Sequence, residues 1–400
     1  LEYVKSFYSS ISLSNVLLIG CQHILETTHT MFQSLYDFGL KPKNIFLIGK
    51  CYSSNLSVWQ EMYLEGIQVS LLSFSFESHL TFDDQFSDIL IQFLKNILSR
   101  IDLSAFNTLI VIDDGGQLLT LSMKFFKNYK NIIGIEQTTS GYEKIKFTPL
   151  SFPIINVARS EAKLVYESPM IADIIIEKIL KRMVILRSFR MILIMGGGAI
   201  GSSIYMTLKN DYEVYVYDKK KEANLKNHLQ VADIIIGCTG ERSISFSKYK
   251  YLKEGCVLIS GSSSDREFDA VHIRRRCKKN IVSCHDDIKG GNLTLLNCGF
   301  PINFDGNRNS VAPEKIQLTR ALLLAAILQA YEMPKDSLEI FPLDMDMQRE
   351  IINKYLTMQK LNNMEEIFIQ ALATRSHAEA DLLERLPEDI KMLVEEKLTT

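Results

Sequence analysis

Four clusters in this 400-residue chain carry side chains able to do chemistry, and each directly follows a short apolar run. The first lies within Met191 to Asp218, where an apolar run ends in Gly196, Gly198 and Gly201, matching G-x-G-x-x-G. A helical segment, a second run from Glu213 to Tyr217, and Asp218 follow. Glycines suit such a turn because it is tight and its backbone must approach a pyrophosphate closely, while the next helix offers free amides and its positive dipole end. An acid closing the second strand accepts hydrogen bonds from an adenosine ribose. The pattern predicts dinucleotide binding. Asp218 favours NAD, and Lys219, Lys220 and Lys221 leave NADP open. The other clusters are Cys21-Gln22-His23, Asp113-Asp114-Gly115-Gly116 and Glu136-Gln137-Thr138-Thr139-Ser140.

The elements that must position these clusters are legible as runs and periodicities. Residues 15–20, 44–49, 67–73, 109–112 and 132–135 are apolar runs bounded by turn residues, with helical patterns at 25–38 and 82–98. After a helix read at 170–189 and the glycine turn, further strands are expected at 232–237, 256–260, 280–283 and 293–296. A strong helical pattern runs from Pro313 to Tyr331. Strands alternating with helices predict an α/β fold with doubly wound parallel sheets, in which ligands sit at the carboxyl ends of strands.

Bulk properties narrow the class. A hydrophobic share of 46%, a charged share of 23% and a net charge of −2 describe a soluble globular chain with no pull toward nucleic acid or anionic membrane. Seven cysteines without a CxxC pair read as reduced thiols and no metal site. The first residues show no basic-then-apolar leader, and no charge-free apolar stretch reaches about 18 residues, so a cytoplasmic protein is expected. The cluster Arg274-Arg275-Arg276-Cys277-Lys278-Lys279 reads as a solvated helix end.

In their order and spacing these motifs resemble the S-adenosylhomocysteine hydrolase family, from about Gly20 to Leu356. GCQH at 20–23 is similar to that family's GCLH, DDGGQL at 113–118 to DDGGDL, EQTTSG at 136–141 to EETTTG, and PIINVARSEAK at 153–163 to PAINVNDSVTK. CTG at 238–240 and NCG at 297–299 continue the register. The resemblance implies a Rossmann NAD-binding domain at 170–305 inserted into a discontinuous α/β substrate domain of 1–160 and 310–345; acidic and basic side chains at helical spacing predict a helical C-terminal tail at 346–400. It implies a chemistry in which NAD oxidises a nucleoside 3′-hydroxyl, the 4′ proton is removed, homocysteine leaves C5′, water adds and the ketone is reduced again. Lys163 then matches the active-site base, Asp114 an acid near the elimination centre, His23 a histidine of the substrate pocket, and Glu167 the aspartate after the lysine. Gln137, Ser168 and Asn55 fall at substrate-binding positions. Thr138, Thr139 and Ser140 match residues reaching the cofactor, and Asn297 the asparagine that holds the nicotinamide carboxamide. A homo-oligomer, dimer or tetramer, is also implied.

The departures matter as much. Gln137 stands where an acid is expected, Ser262 where a histidine is expected, and the loop NCGFPINFDG contains no histidine; His285 is the nearest. The family's terminal lysine and tyrosine have no counterpart in LLERLPEDIKMLVEEKLTT. Loss of a general acid or base typically costs about 10²–10⁴-fold. The expectation is therefore weakened hydrolysis of a nucleoside thioether, with two alternatives: a silent NAD- and nucleoside-binding paralogue, or a nucleoside 3′-oxidoreductase.

Overall fold

The computed structural model describes residues 1–359 except 9, 184–188 and 219–224. Lys219, Lys220, Lys221 and the tail from 360 onward therefore lie outside the described residues. The described residues form two compact units: 1–76 with 83–164 and 306–359, and 77–82 with 165–305.

The first unit contains strands β1 (Val16–Cys21), β2 (Ile45–Ile48), β3 (Gln68–Val69), β4 (Thr108–Asp113), β5 (Ile132–Glu136) and β6 (Ile154–Asn156). The second holds β7 (Met191–Met195), β8 (Glu213–Tyr217), β9 (Ile234–Gly237), β10 (Val257–Ser260), β11 (Ile288–Gly290) and β12 (Leu293–Leu295), and β13 (Ile340–Pro342) returns to the first sheet. The first sheet is parallel throughout in the order β13-β6-β5-β4-β1-β2-β3. The second runs β11-β12-β10-β9-β7-β8, with only the β11–β12 pair antiparallel. Strands β1, β2, β4 and β5 are buried at every residue, as continuous apolar runs in a covered parallel sheet should be. In each sheet the strand order reverses once, between β1 and β4 and between β7 and β9. These are the topological switch points, where diverging loops leave a crevice at the carboxyl edge.

Helix Pro313–Glu332 starts with proline at its first turn and buries residues around its circumference, from Ile316 and Leu318 to Ile327 and Leu328. An all-round apolar helix belongs inside, and this one packs on β4, β5 and the helices Glu26–Gln33 and Met345–Met358. In the second unit, Ile175 and Ile179 of helix Ser168–Met183 join Ile192, Ile194, Ile204, Ile236 and Ile259 in one core. Among the described residues no helix is long and apolar enough to cross a membrane.

Several expectations are corrected. The run at 67–73 gives only the two-residue β3, because the Ser70 hydroxyl accepts the Leu72 amide and starts a 3₁₀ turn at Leu71–Phe74. Residues 280–283 form no strand, since the amides of Val282 and Ser283 donate to the Asp286 carboxylate. The 25–38 helix breaks into Glu26–Gln33 and a 3₁₀ turn Tyr36–Phe38, closed by Gly39 at φ 82°. The basic cluster is also no simple solvated end. Arg274 is buried, pairs with Asp265 at 2.7 Å and donates twice to the Cys298 carbonyl, while Arg275 and Arg276 stay exposed.

Candidate functional site

In the second unit the glycine turn follows β7 at the switch point. Gly196 has φ +107°, and a Cβ there would lie 3.0 Å from the Cys238 backbone. A Cβ on Gly201 would lie 2.0 Å from the Gly196 carbonyl oxygen, so the helix Ala199–Leu208 packs directly on the turn. Gly198 differs: nothing stands within 4 Å of its Cβ position, and its φ of −69° is open to any residue. Neither backbone strain nor crowding requires glycine there, and the position opens onto free space. Asp218 closes β8 beside the turn, its Oδ2 3.2 Å from the Cβ position of Gly197. Gly196–Gly198, Asp218, Thr239 and Arg242 line a cleft of about 310 Å³. An open glycine cradle ahead of a helix N-terminus, with a carboxylate at the neighbouring strand end, fits a dinucleotide's pyrophosphate and ribose.

The cleft's far wall is held by a carboxylate that the sequence reading passed over. Glu267 is fully buried and accepts from the amides of Thr239 and Gly240, both at 2.7 Å, from the Thr239 hydroxyl at 2.9 Å, and from the Ser262 hydroxyl. The Ser262 proton is thus committed to Glu267. Asn297 is buried in left-handed backbone, φ 53°, and its amide donates to the carbonyls of Pro301 and Phe304 at 3.0 and 2.6 Å. Its Oδ1 has no partner among the described residues. That orphaned acceptor is the atom able to take an N–H from a carboxamide.

In the first unit the crevice between β1 and β4 gathers His23, Asp114 and Gln137, with a residue that sequence reasoning missed. Lys50, two residues beyond β2, is buried, and its ammonium pairs with Asp114 Oδ1. Asp114 Oδ2 takes the Gln137 amide and lies 3.3 Å from His23 Nε2. The Gln22 amide donates to Gln137 Oε1 at 3.1 Å. His23 Nδ1 is 2.6 Å from the Ser53 hydroxyl. A carboxylate accepts only, so it fixes His23 as the Nε2–H tautomer and leaves Nδ1 to accept from Ser53.

Burial opposes charge on Asp114, but the Lys50 ammonium, followed by His23, overrides it and holds the carboxyl well below its usual range. Burial likewise works against the Lys50 ammonium, and Asp114 more than restores it. His23 is pushed down by burial against the pull of Asp114, which favours the neutral ring. Deeper in the sheet, burial raises Asp113 to about 6 and pushes Glu136 well above the carboxylate range, with Asp113 adding repulsion. Glu136 accepts from the amide and hydroxyl of Thr138 and from the Gly115 amide, fixing both loops.

The remaining expected residues are placed as follows. Lys163 and Glu167 bound a π-helical turn, Lys163–Glu167, and the Lys163 amide donates to Ser160. Such turns recur at functional sites. The side chain of Ser168 lies outside the described residues. Asn55 caps helix Leu56–Leu64: its Oδ1 accepts from the Val58 amide, and its side-chain amide donates to the Gly306 carbonyl. Thr138 caps helix Thr139–Ile145 in the same way, with Thr139 and Ser140 in its first turn. No local signal marked Lys50 or Glu267, because their partners are remote in sequence or become polar sinks only on folding.

No family model matches the chain. Two Mycobacterium tuberculosis proteins, the uncharacterized proteins MT0113 (strain CDC 1551 / Oshkosh) and Rv0104 (strain ATCC 25618 / H37Rv), are each 41% identical to it over 328 residues. The match covers 80% of this chain and 65% of each relative, so the chain spans about two thirds of their length. Among solved structures, a dipicolinate synthase polypeptide from Bacillus halodurans is 11% identical with a TM-score of 0.39, covering 81% of this chain and 99% of that one. A D-isomer specific 2-hydroxyacid dehydrogenase family protein from Aeromonas salmonicida is 12% identical with a TM-score of 0.34, over 81% and 99%. Likenesses this distant assign no ligand or activity.

Proposed function

We propose that the chain is an NAD-dependent, adenosylhomocysteinase-like protein acting on S-adenosylhomocysteine or a related nucleoside thioether by 3′-oxidation and elimination, with weakened activity. The observation that carries the reading is the empty space in front of Gly198, framed by Asp218 and the helix amides. NAD bound there would supply the hydride acceptor for C3′. Gly196, Gly198 and Gly201 would admit its pyrophosphate, Asp218 its ribose, and Asn297 Oδ1 its carboxamide. In the first unit, Lys163 would take the 4′ proton and Gln137 would hydrogen-bond ribose hydroxyls.

One observation favours a second reading, a silent binder of NAD and nucleoside. Both oxygens of Asp114 are occupied, and the Ser262 hydroxyl is donated to Glu267, so neither offers a proton to a leaving thiolate. One experiment separates these readings: measure nucleotide carried by the purified protein, then follow adenosine and homocysteine release together with NADH absorbance. Thioether cleavage supports the first reading. Bound NAD without turnover supports the second, and NADH build-up with adenosine but no homocysteine release indicates a 3′-oxidoreductase. A protein that binds no NAD sinks all three. Assembly into a homo-oligomer rests on the resemblance alone, and sedimentation as a monomer at micromolar concentration would remove it.

A further inference from the structure

A second cavity, of about 650 Å³, opens in the second unit and shares no lining residue with the glycine cleft. Its volume is that of a small-molecule site. Gly291 and Asn292, which join β11 to β12, form part of one wall. Because β12 runs parallel to β10, β9 and β7, that wall stands at the amino ends of the strands, whereas the glycine turn follows the carboxyl end of β7.

The walls are anchored on the helix Ala270–Arg274. Gly290 is pressed against it: a Cβ there would lie 2.6 Å from the Ile273 side chain. On the other side the Phe246 amide donates to the Asp269 carboxylate at 2.8 Å, and the Phe246 ring stacks on His272 with centroids 4.6 Å apart. Leu252, Ile273 and Leu293 add aliphatic surface to the lining.

Charge in this cavity is unbalanced. The Arg276 guanidinium carbon lies over the Phe246 ring, 4.3 Å from its centre. A guanidinium held on an aromatic face still offers its in-plane N–H fork to an oxyanion. Lys250 lies over the Tyr251 ring at 5.1 Å, and neither it nor Arg276 has a carboxylate or other hydrogen-bond acceptor among the described residues. Lys253 is taken by Asp233 at 2.5 Å, which leaves Glu254 as the one lining carboxylate against these two cations.

We propose that this cavity is a second ligand site, for a small molecule that joins an oxyanion, phosphate or carboxylate, to an apolar ring. Arg276 takes the oxyanion, Lys250 adds charge, and the aromatic and aliphatic walls remove the ring from water. The proposal is independent of the dinucleotide reading.

The test is calorimetry of phenyl phosphate, benzoate, inorganic phosphate and the neutral benzamide, with and without saturating NAD. At least one aryl anion should bind about tenfold or more tighter than both inorganic phosphate and benzamide; which one gains distinguishes phosphate from carboxylate. NAD should not displace it. Arg276 is exposed, so Arg276→Gln should melt as the parent does and yet cancel the advantage, and Lys250→Gln should reduce it. Aryl anions that bind no tighter than their parts, an advantage that survives Arg276→Gln, or displacement by NAD would each overturn the site. None of these failures touches the dinucleotide reading, because the two cavities have no lining residue in common.

Discussion

Asp113 and Glu136 are register partners on the adjacent parallel strands β4 and β5, and each keeps one buried carboxyl oxygen without a hydrogen-bond partner among the described residues. Two buried carboxyls this close cannot both ionise cheaply.

Burial raises both above their unfolded values, Asp113 to about 6 and Glu136 further. Their contribution to stability is present below the unfolded values near 4 and is lost as pH rises through about 6 and beyond. Asp114, held low, acts oppositely and withdraws its support as pH falls below about 4. The first unit should be most stable near about pH 4, where Asp114 is ionised and the two raised acids are still protonated. Urea unfolding should show stability falling as pH rises from about 4 through about 6 and above, with a shallower slope in Glu136→Gln, which mimics the protonated acid. An unchanged slope in that variant would show that Glu136 does not titrate in this range.

Lys50→Met should destabilise the protein by about 3–5 kcal/mol, because it strands an ionised carboxylate in the interior. Lys50→Met/Asp114→Asn should recover most of that loss. Chemical denaturation of both variants decides, and a single variant as stable as the parent would mean that Asp114 is not charged in the fold.

The two glycines of the dinucleotide turn should fail differently. Gly198→Val faces open space in allowed backbone, so it should fold with parental stability yet lose NAD binding by about a hundredfold or more. Gly201→Ala puts a Cβ against the Gly196 carbonyl and should lower thermal stability as well. Parental NAD affinity in Gly198→Val would remove the cleft as the cofactor site.

Asp218→Asn should weaken NAD by about tenfold and narrow its advantage over NADP, since the acid accepts from the ribose 2′-hydroxyl and repels a 2′-phosphate. NADP binding at least as tightly as NAD before substitution would show that Asp218 does not have this role.

Much of the fold is legible because parallel strands covered on both faces must be apolar throughout. Runs such as NVLLIG and LIVI have no other place to go. β6 and β13 escape notice because three residues, one of them Pro342, make no run. β11 is an edge strand whose middle residue, Lys289, is exposed, so its pattern is too short to read. The polar clusters announce the crevices because switch-point loops are where polar groups can be satisfied. Lys50 does not announce itself: a lysine after an apolar run looks like any surface lysine, and its partner lies 64 positions away. Arg274 hides among neighbouring arginines that are solvated, as its type suggests.

Glu267 gathers the Thr239 and Gly240 amides onto one buried carboxyl group. The cleft wall is tied to the protein's own interior, and its amide protons should exchange slowly whether or not a dinucleotide is bound. Little ordering entropy remains for a dinucleotide to overcome on docking. Its arrival should be a single diffusional step, without a slower phase in which the wall rearranges.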